Sequence, residues 1–249
     1  IQRGVEDRSV ACMLPQMHAD IRKMRAIKDA EEIELMRHAQ SITDAAFQHM
    51  LGFIKPGMTE KQVRNELENF MFANGADSLA FGSIVASGPN TANPHAVPSD
   101  RVIEKGDFVL MDYGAGYCDY RSDMTRTVVM GEPTQEQLDL YALVRRTHEE
   151  CVAAIHPGVE GNDIFKLSKK IIGDYYNHGL GHGVGIDIHE LPNFNRSKNI
   201  IEVGSVITME PGVYLPGVGG VRLEDYGVVT ENGYEPFTKT PHDLHVIDC

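Results

Sequence analysis

Four carboxylates in this chain stand in two matched pairs. Gly106 precedes Asp112 by six residues through the apolar run Phe108 to Met111, and Gly204 precedes Glu210 by six through Val206-Ile207-Thr208-Met209. Asp123 is followed by Val128-Val129 and Glu224 by Val228-Val229, and these two acids are 101 residues apart. One acid in a strand is usually a solvent-facing residue. Two in each of two matched halves, each beside an apolar run, point instead to convergence on a cation. Between the pairs runs His178-Gly-Leu-Gly-His182-Gly-Val-Gly-Ile-Asp-Ile-His189, three histidines in twelve residues among four glycines. Imidazoles supply nitrogen ligands or proton donors near neutral pH. Glycine lets the backbone take unusual angles and approach a ligand closely.

His182 with Asp112, Asp123, Glu210 and Glu224 makes an oxygen-rich donor set with one nitrogen. Structural zinc prefers thiolates and several imidazoles. Hard oxygen donors suit Mn2+, with Co2+, Fe2+ and Zn2+ as alternatives. Five protein ligands are too many for one tetrahedral ion, so two divalent metal ions are expected, about 3.5–4 Å apart and bridged by carboxylates. Such a pair activates water for attack on a carbonyl, which predicts hydrolysis of an amide bond. Thr125, two residues after Asp123, is placed to hydrogen-bond a ligand carboxylate. Arg222, two before Glu224, shares its strand face and can neutralise or orient a carboxylate. His95, in Asn93-Pro94-His95, lies in a Pro-rich loop; taken alone, such a histidine is more often incidental.

These donors need elements to hold them. Ile33, Met36, Ala39, Ile42, Ala46 and Met50 step by three and four, which predicts an amphipathic helix that Lys55-Pro56-Gly57 stops. Thr59 with Gln62 reads as the capping box of a second helix, with Val63, Leu67, Phe70 and Met71 as its apolar stripe. Strands are expected at Ser83 to Ala86 and at Phe108 to Met111, ending at Asp112. A hairpin-like segment leads to Asp123 and the strand Thr127-Val128-Val129, and Thr134 with Gln137 opens another helix.

Then the order recurs. Ile54-Lys55-Pro56-Gly57 is echoed 101 residues on by Ile155-His156-Pro157-Gly158. Each half reads helix, Pro-Gly break, helix, then two strands with one acid each. One recurrence at this period indicates two related halves rather than a solenoid. The expected fold is α/β (α+β), a pseudo-twofold repeat with antiparallel sheet flanked by helices. One irregularity stands out. The second-half helix starting near Asn162 is cut off after Ile172, whereas its counterpart continues through Phe70-Met71 into Asn74-Gly75-Ala76; several residues read as absent between Ile172 and Gly173. Residues 1–27 read as a polar, aperiodic remnant of an N-terminal region or linker, with regular structure beginning near Asp29.

The bulk numbers bound the partners. At 249 residues, 42% hydrophobic and 24% charged, the chain is long enough for one large domain with a normal core. With 23 basic against 36 acidic residues, its net charge of −13 argues against nucleic acid or an anionic membrane as partner. No apolar run approaches the roughly 18–20 residues that span a bilayer. Ile1 to Met13 lacks the apolar centre of a signal peptide. Cys12, Cys118, Cys151 and Cys249 are far apart and form no CxxC pair, so free thiols and a cytoplasmic location are expected.

Five ordered blocks also carry a family resemblance. Asp112-Tyr-Gly-Ala, Ser122-Asp123-Met-Thr-Arg-Thr, His178-Gly-Leu-Gly-His182-Gly-Val-Gly, Met209-Glu210-Pro-Gly-Val-Tyr and Val221-Arg222-Leu-Glu224-Asp225 resemble the signature blocks of the prolidase and aminopeptidase P metallopeptidases, across about residues 24 to 248. The resemblance implies a pita-bread fold over 28–249 with a curved antiparallel sheet. It implies that Asp112 and Asp123 ligate one metal and His182 and Glu210 the other, with Asp123 and Glu224 bridging. It makes Glu210 the base, and His95, His178 and His189 pocket residues that bind the carbonyl, stabilise the tetrahedral intermediate or assist proton transfer. It implies a proline-containing peptide as substrate, cleaved before proline, with homodimers common among relatives.

The Glu210-Pro-Gly-Val-Tyr and Arg222-Leu-Glu224-Asp225 blocks favour the proline-specific branch over methionine aminopeptidase. The complete ligand set argues against creatinase and the non-catalytic binding relatives. Xaa-Pro dipeptides are the expected substrates, with longer peptides as the alternative. Proline-specific relatives usually carry a separate N-terminal domain, and only a short segment precedes Met24. Some archaeal prolidases have an arginine after the His-Glu-x-Pro block; here His189-Glu190-Leu191-Pro192 is followed by Asn193, and Arg196 is the residue expected to substitute. A structural calcium site would leave the three pocket histidines without a role.

Overall fold

Two helix pairs, each followed by its own strands, set out the plan of the chain. The computed structural model describes residues 8–173, 175–176, 178–195 and 198–248. The first half runs α1 (Arg8–Ala26), α2 (Ala30–Phe53), α3 (Glu60–Ala73), β1 (Ser78–Leu79), β2 (Ile84–Ser87), a 3-10 turn at Gly88–Ala92, β3 (Phe108–Tyr113), β4 (Ala115–Tyr117), β5 (Tyr120–Arg121) and β6 (Met124–Met130). The second runs α4 (Gln135–Ala153), α5 (Gly161–Ile172), β7 (Gly181–Gly183), β8 (Glu190–Phe194), β9 (Val206–Met209), β10 (Gly212–Leu215), β11 (Gly219–Arg222), β12 (Asp225–Thr230), β13 (Gly233–Pro236) and β14 (Val246–Ile247).

Local chemistry explains the helix starts. Asp29 Oδ1 accepts the N–H groups of Glu31 and Glu32 at 2.9 Å, and Glu32 returns a carboxylate to the Asp29 N–H at 2.8 Å. Thr59 with Gln62 and Thr134 with Gln137 close the same reciprocal box on α3 and α4. Each box satisfies donors that a helix start leaves unpaired. The β4–β5 hairpin turns at Cys118 and Asp119, whose φ values of 47° and 69° suit a tight two-residue turn.

Each helix pair covers its own sheet. The first-half strands β6, β3 and β2 form a four-stranded sheet with β14 from the C-terminal end of the chain, in the order β14-β6-β3-β2, and in the second half β13-β12-β9-β7-β8 form a five-stranded one. Phe47 and Met50 of α2 and Leu67 and Met71 of α3 bury against Val109, Met111 and Val128. Cys151 of α4 and Ile164 of α5 bury against Ile207, Met209 and Val229. Full burial of such a side chain contributes about 1.5–3 kcal/mol. The pairs β3–β6 and β9–β12 are both antiparallel, so helix pair plus antiparallel strand pair occurs twice, as the repeat predicts. The sheets meet where Thr125 bridges Glu224, with the Glu224 N–H on the Thr125 carbonyl at 3.1 Å.

The N-terminal expectation needs correction. Residues 8–26 are helical, not aperiodic. Met17, Ile21 and Met24 step by four and three, a helical spacing that the surrounding charges obscure. All three are exposed, so the described side chains of α1, from Gln16 on, form no buried stripe of the usual kind. It is held at its C-terminal end, where Arg25 pairs with Asp187 at 2.8 Å and also with Glu190, and buried Lys28 reaches Glu190 at 3.1 Å. On the second-half helix, Gly173 takes φ +81° and donates to the Lys169 carbonyl at 2.8 Å, ending α5 at 12 residues against 14 for α3.

Candidate metal centre

The acids sit at strand ends where the two sheets meet. In β3, Met111 faces the helices and Asp112 the opposite side, as strand alternation requires. Asp123 immediately precedes β6, Glu210 follows β9, and Glu224 precedes β12. His182 lies in β7, its N–H on Thr208 Oγ1 at 3.1 Å, and the Glu210 N–H holds the Leu180 carbonyl at 2.8 Å. Positions more than a hundred residues apart are thereby brought to one point.

Donor atoms of Asp123, His182 and Glu224 all lie within 4.8 Å of one another. His182 Nε2 stands 3.5 Å from Asp123 Oδ2 and 3.6 Å from Glu210 Oε1. Its Nδ1 is 3.1 Å from the Gly183 carbonyl. That contact requires the proton on Nδ1 and leaves the Nε2 lone pair facing the carboxylates. Asp112 stands at the edge of the cluster, with Oδ2 on Arg222 at 2.6 Å; its Oδ1 is buried and accepts no hydrogen bond.

The charges are unbalanced. Four buried or half-buried carboxylates face one guanidinium among the described residues, that of Arg222. Burial, then Glu224, Asp112 and Glu210, push the Asp123 carboxyl far up. Burial, then Glu210 and Asp112, do the same to Glu224. Burial pushes Glu210 up to about 8, with Arg222 opposing and Asp112 adding. His182 falls to about 4 through burial and then His189, so its imidazole is neutral at pH 7, the form that binds metals. Mutually repelling carboxylates, an orphaned Asp112 oxygen and a neutral imidazole aimed at them are what divalent cations would satisfy. The residues fit the group.

Arg222 braces this arrangement. Its Nε donates to Thr125 Oγ1 at 3.0 Å and a terminal nitrogen donates to Tyr214 Oη at 2.7 Å. Thr125 Oγ1 in turn donates to Glu224 Oε2 at 2.7 Å. Thr125 therefore holds the acid of the opposite half rather than its neighbour Asp123, and Arg222 orients Asp112 rather than Glu224. His178 Nε2 is 2.9 Å from Tyr214 Oη, and its Nδ1 is 2.6 Å from the Gly179 carbonyl and 3.8 Å from Glu210 Oε2. Burial, then Arg222, lower His178 to about 3.

A cavity of about 330 Å³ opens onto these groups, lined by His95, His178, His182 and His189 and by apolar Phe81, Ile84, Pro94 and Ile188. The His189 ring packs edge-on against His182 with centroids 4.4 Å apart. His95 and His189 lie toward the mouth, less buried than His182. Sequence reasoning did not single out Tyr214, although it lies in the Glu210-Pro-Gly-Val-Tyr segment. The apolar wall carried no local signal. Arg196 lies outside the described residues.

The glycines around His182 do not serve by unusual backbone angles. Gly179, Gly181, Gly183 and Gly185 have no left-handed φ. A Cβ on Gly181 would stand 2.3 Å from the Thr208 carbonyl oxygen, and one on Gly183 2.0 Å from that of Leu191. At Gly181 and Gly183 the backbone of a neighbouring strand demands the small residue.

Comparison with known proteins places the chain among characterised relatives. The profile of metallopeptidase family M24 matches residues 34–231. The chain is 45% identical over 233 residues to the uncharacterized peptidase YqhT of Bacillus subtilis, covering 91% of this chain and 66% of that one. It is 42% identical over 230 residues to the Xaa-Pro dipeptidase of Pyrococcus furiosus, covering 90% and 66%. Among solved structures, the X-Pro aminopeptidase from Thermotoga maritima matches with a TM-score of 0.90 at 36% identity, covering 92% of this chain and 67% of that one. The chain thus spans about two thirds of the length of the curated relatives it matches. The pita-bread architecture is the fold of this chain.

Proposed function

The chain belongs to metallopeptidase family M24, and from that premise we propose that it hydrolyses the Xaa-Pro peptide bond, acting on dipeptides, with two divalent metal ions held by Asp112, Asp123, His182, Glu210 and Glu224. The observation that carries this reading is the convergence of Asp123, His182 and Glu224 within 4.8 Å beside the unpaired Asp112 oxygen. We assign Mn2+ on the oxygen-rich donor set. We assign residues 28–249 to the catalytic domain, and a cytoplasmic location on the free thiols Cys118 and Cys151.

When bound, two divalent cations supply Lewis-acid chemistry, polarising a carbonyl and acidifying water. The protein's own groups do the rest. Beside such cations Glu210 would stand as a carboxylate despite its raised pKa, the form that takes a proton from water. His189 donates to the substrate carbonyl as charge develops on its oxygen, and His178, fixed by Tyr214 and the Gly179 carbonyl, lines the pocket beside Glu210. Arg222 keeps Asp112 fixed, and Thr125 keeps Glu224 fixed, so neither must reorganise during reaction. The apolar wall of Phe81, Ile84, Pro94 and Ile188 receives the proline ring and excludes bulk water.

A second reading, cleavage of longer peptides with proline second, is favoured by the likeness to the Thermotoga maritima X-Pro aminopeptidase. One experiment separates them: chelation, re-addition of Mn2+, Co2+ or Zn2+, and assay on Ala-Pro, Ala-Pro-Ala and Met-Ala-Ala. Ala-Pro is expected to be cleaved fastest, with Mn2+ restoring most activity. Preference for Ala-Pro-Ala selects the second reading, and activity that survives chelation sinks the metal mechanism.

A further inference from the structure

Asp225 follows Glu224 directly and points the other way, since successive strand residues face opposite sides. There it meets two histidines that the proposed reaction does not use. His242 Nε2 lies 2.7 Å from Asp225 Oδ2, and His148 Nε2, from α4, lies 3.6 Å from the same oxygen. One donor atom from each residue lies within 4.8 Å of the others. His148 is only 2% exposed, and neither of its ring nitrogens has a hydrogen-bond partner. A buried imidazole with both nitrogens unpaired lacks the partners that native interiors normally provide. The His242–Asp225 hydrogen bond alone leaves that deficit in place.

The other side of Asp225 is already occupied. Arg126 donates to Asp225 Oδ1 at 2.7 Å and to the carbonyls of Thr125, Glu224, Thr240 and Pro241. This leaves Oδ2 facing the imidazoles, with its carboxylate plane held from behind, the arrangement that orients metal-binding carboxylates. A tetrahedral ion at about 2.0–2.1 Å from each donor sets donors about 3.3–3.5 Å apart, close to the His148–Asp225 spacing. His242, with 23% of its side chain exposed, gives access from solvent.

We propose that His148, Asp225 and His242 form a further metal site of the zinc class, separate from the catalytic centre, with a remaining position for water. Two neutral nitrogens and one carboxylate oxygen suit Zn2+ or Co2+ better than Mn2+. The ion fastens α4, the start of β12 and the segment carrying His242 to one another. It thereby steadies the backbone next to Glu224.

The test is metal content. Wild type, His242→Ala and His148→Leu are stripped with EDTA, reloaded with Zn2+, desalted and measured by inductively coupled plasma mass spectrometry. Each variant is expected to hold one equivalent less zinc per chain than wild type. Reloading with Co2+ should show an intense tetrahedral visible band in wild type that His242→Ala lacks. Because His242 is partly exposed, that variant remains informative where His148→Leu fails to fold. Equal zinc content and equal cobalt spectra in wild type and folded His242→Ala overturn the site. The readout is a difference between variants, so the site stands or falls whether or not the chain cleaves Ala-Pro.

Discussion

Arg222 holds four partners at once: Asp112, Thr125, Tyr214 and the Pro94 carbonyl. A guanidinium spans them because its donors fan out in a plane, whereas an ammonium concentrates its donors at one point. Burial pushes the Tyr214 phenol up to about 12, so it keeps its proton and can donate to His178 while accepting from Arg222. Arg222→Lys is therefore expected to lower kcat/KM on Ala-Pro by about 10–100-fold, the usual cost of losing a group that orients metal ligands. Unchanged kinetics would show that the bracing role is wrong. Asp112→Asn and Glu210→Gln are expected to abolish turnover with the far-UV circular dichroism of wild type, and activity at the wild-type level in either refutes the metal mechanism.

At the scale of elements, β7 is the vulnerable one. It lies between β8 and β9 and carries His182. Gly183→Ala forces a methyl onto the Leu191 carbonyl oxygen, a backbone atom that can yield only if the strands separate. A loss of about 3 kcal/mol or more is expected. Gly52 lies near the end of α2, and a methyl there would meet nothing within 4 Å. Gly52→Ala is expected to gain about 0.5–1 kcal/mol by restricting the unfolded chain. Urea denaturation of the two variants checks both, and comparable midpoints would contradict the crowding argument. The four helices α2 to α5 were legible because their apolar stripes are local, with local caps added on α2, α3 and α4. Helix α1 was not, because Met17, Ile21 and Met24 face solvent and its anchor is a set of ion pairs to Asp187 and Glu190, which lie 162 and 165 residues beyond Arg25.

At the scale of the whole molecule, stability is linked to protons and metal. In the metal-free chain Glu210 keeps its proton to about pH 8, whereas an unfolded glutamate loses it near about 4.3. Asp123 and Glu224 are raised in the same sense. Between those values the folded chain binds more protons, so the stability these groups contribute at low pH is lost as pH rises through their folded values. Burial lowers His148 and His182 to about 4 and His178 to about 3; these act in the opposite sense, but only below about 6.5, where unfolded histidine titrates. Above that the carboxyls act alone. The EDTA-treated protein should melt at lower temperature at pH 8 than at pH 6.5. Mn2+ at a hundred times its Kd should then add about 2.7 kcal/mol, or about 5–10 °C for a chain of this size. Calorimetry checks this, and a metal-free Tm that is level or rising from pH 6.5 to 8 contradicts it.

The sequence by itself determined the helix starts, the strand-borne acids, the repeat that pairs Asp112 and Asp123 with Glu210 and Glu224, and the family blocks. Each of these is read from short stretches, or from one stretch matched to another, so short-range sterics and hydrogen bonding suffice to read the elements themselves. Only the tertiary structure decided which atom faces which. It placed His182 Nε2 between Asp123 and Glu210, tied Thr125 to Glu224 across the seam, turned Arg222 onto Asp112, and set Asp225 against His148 and His242. Those pairings join positions between 17 and 110 residues apart. They exist because two helix-backed sheets meet at the Thr125–Glu224 bridge, and no local pattern encodes which side chains such packing brings into contact.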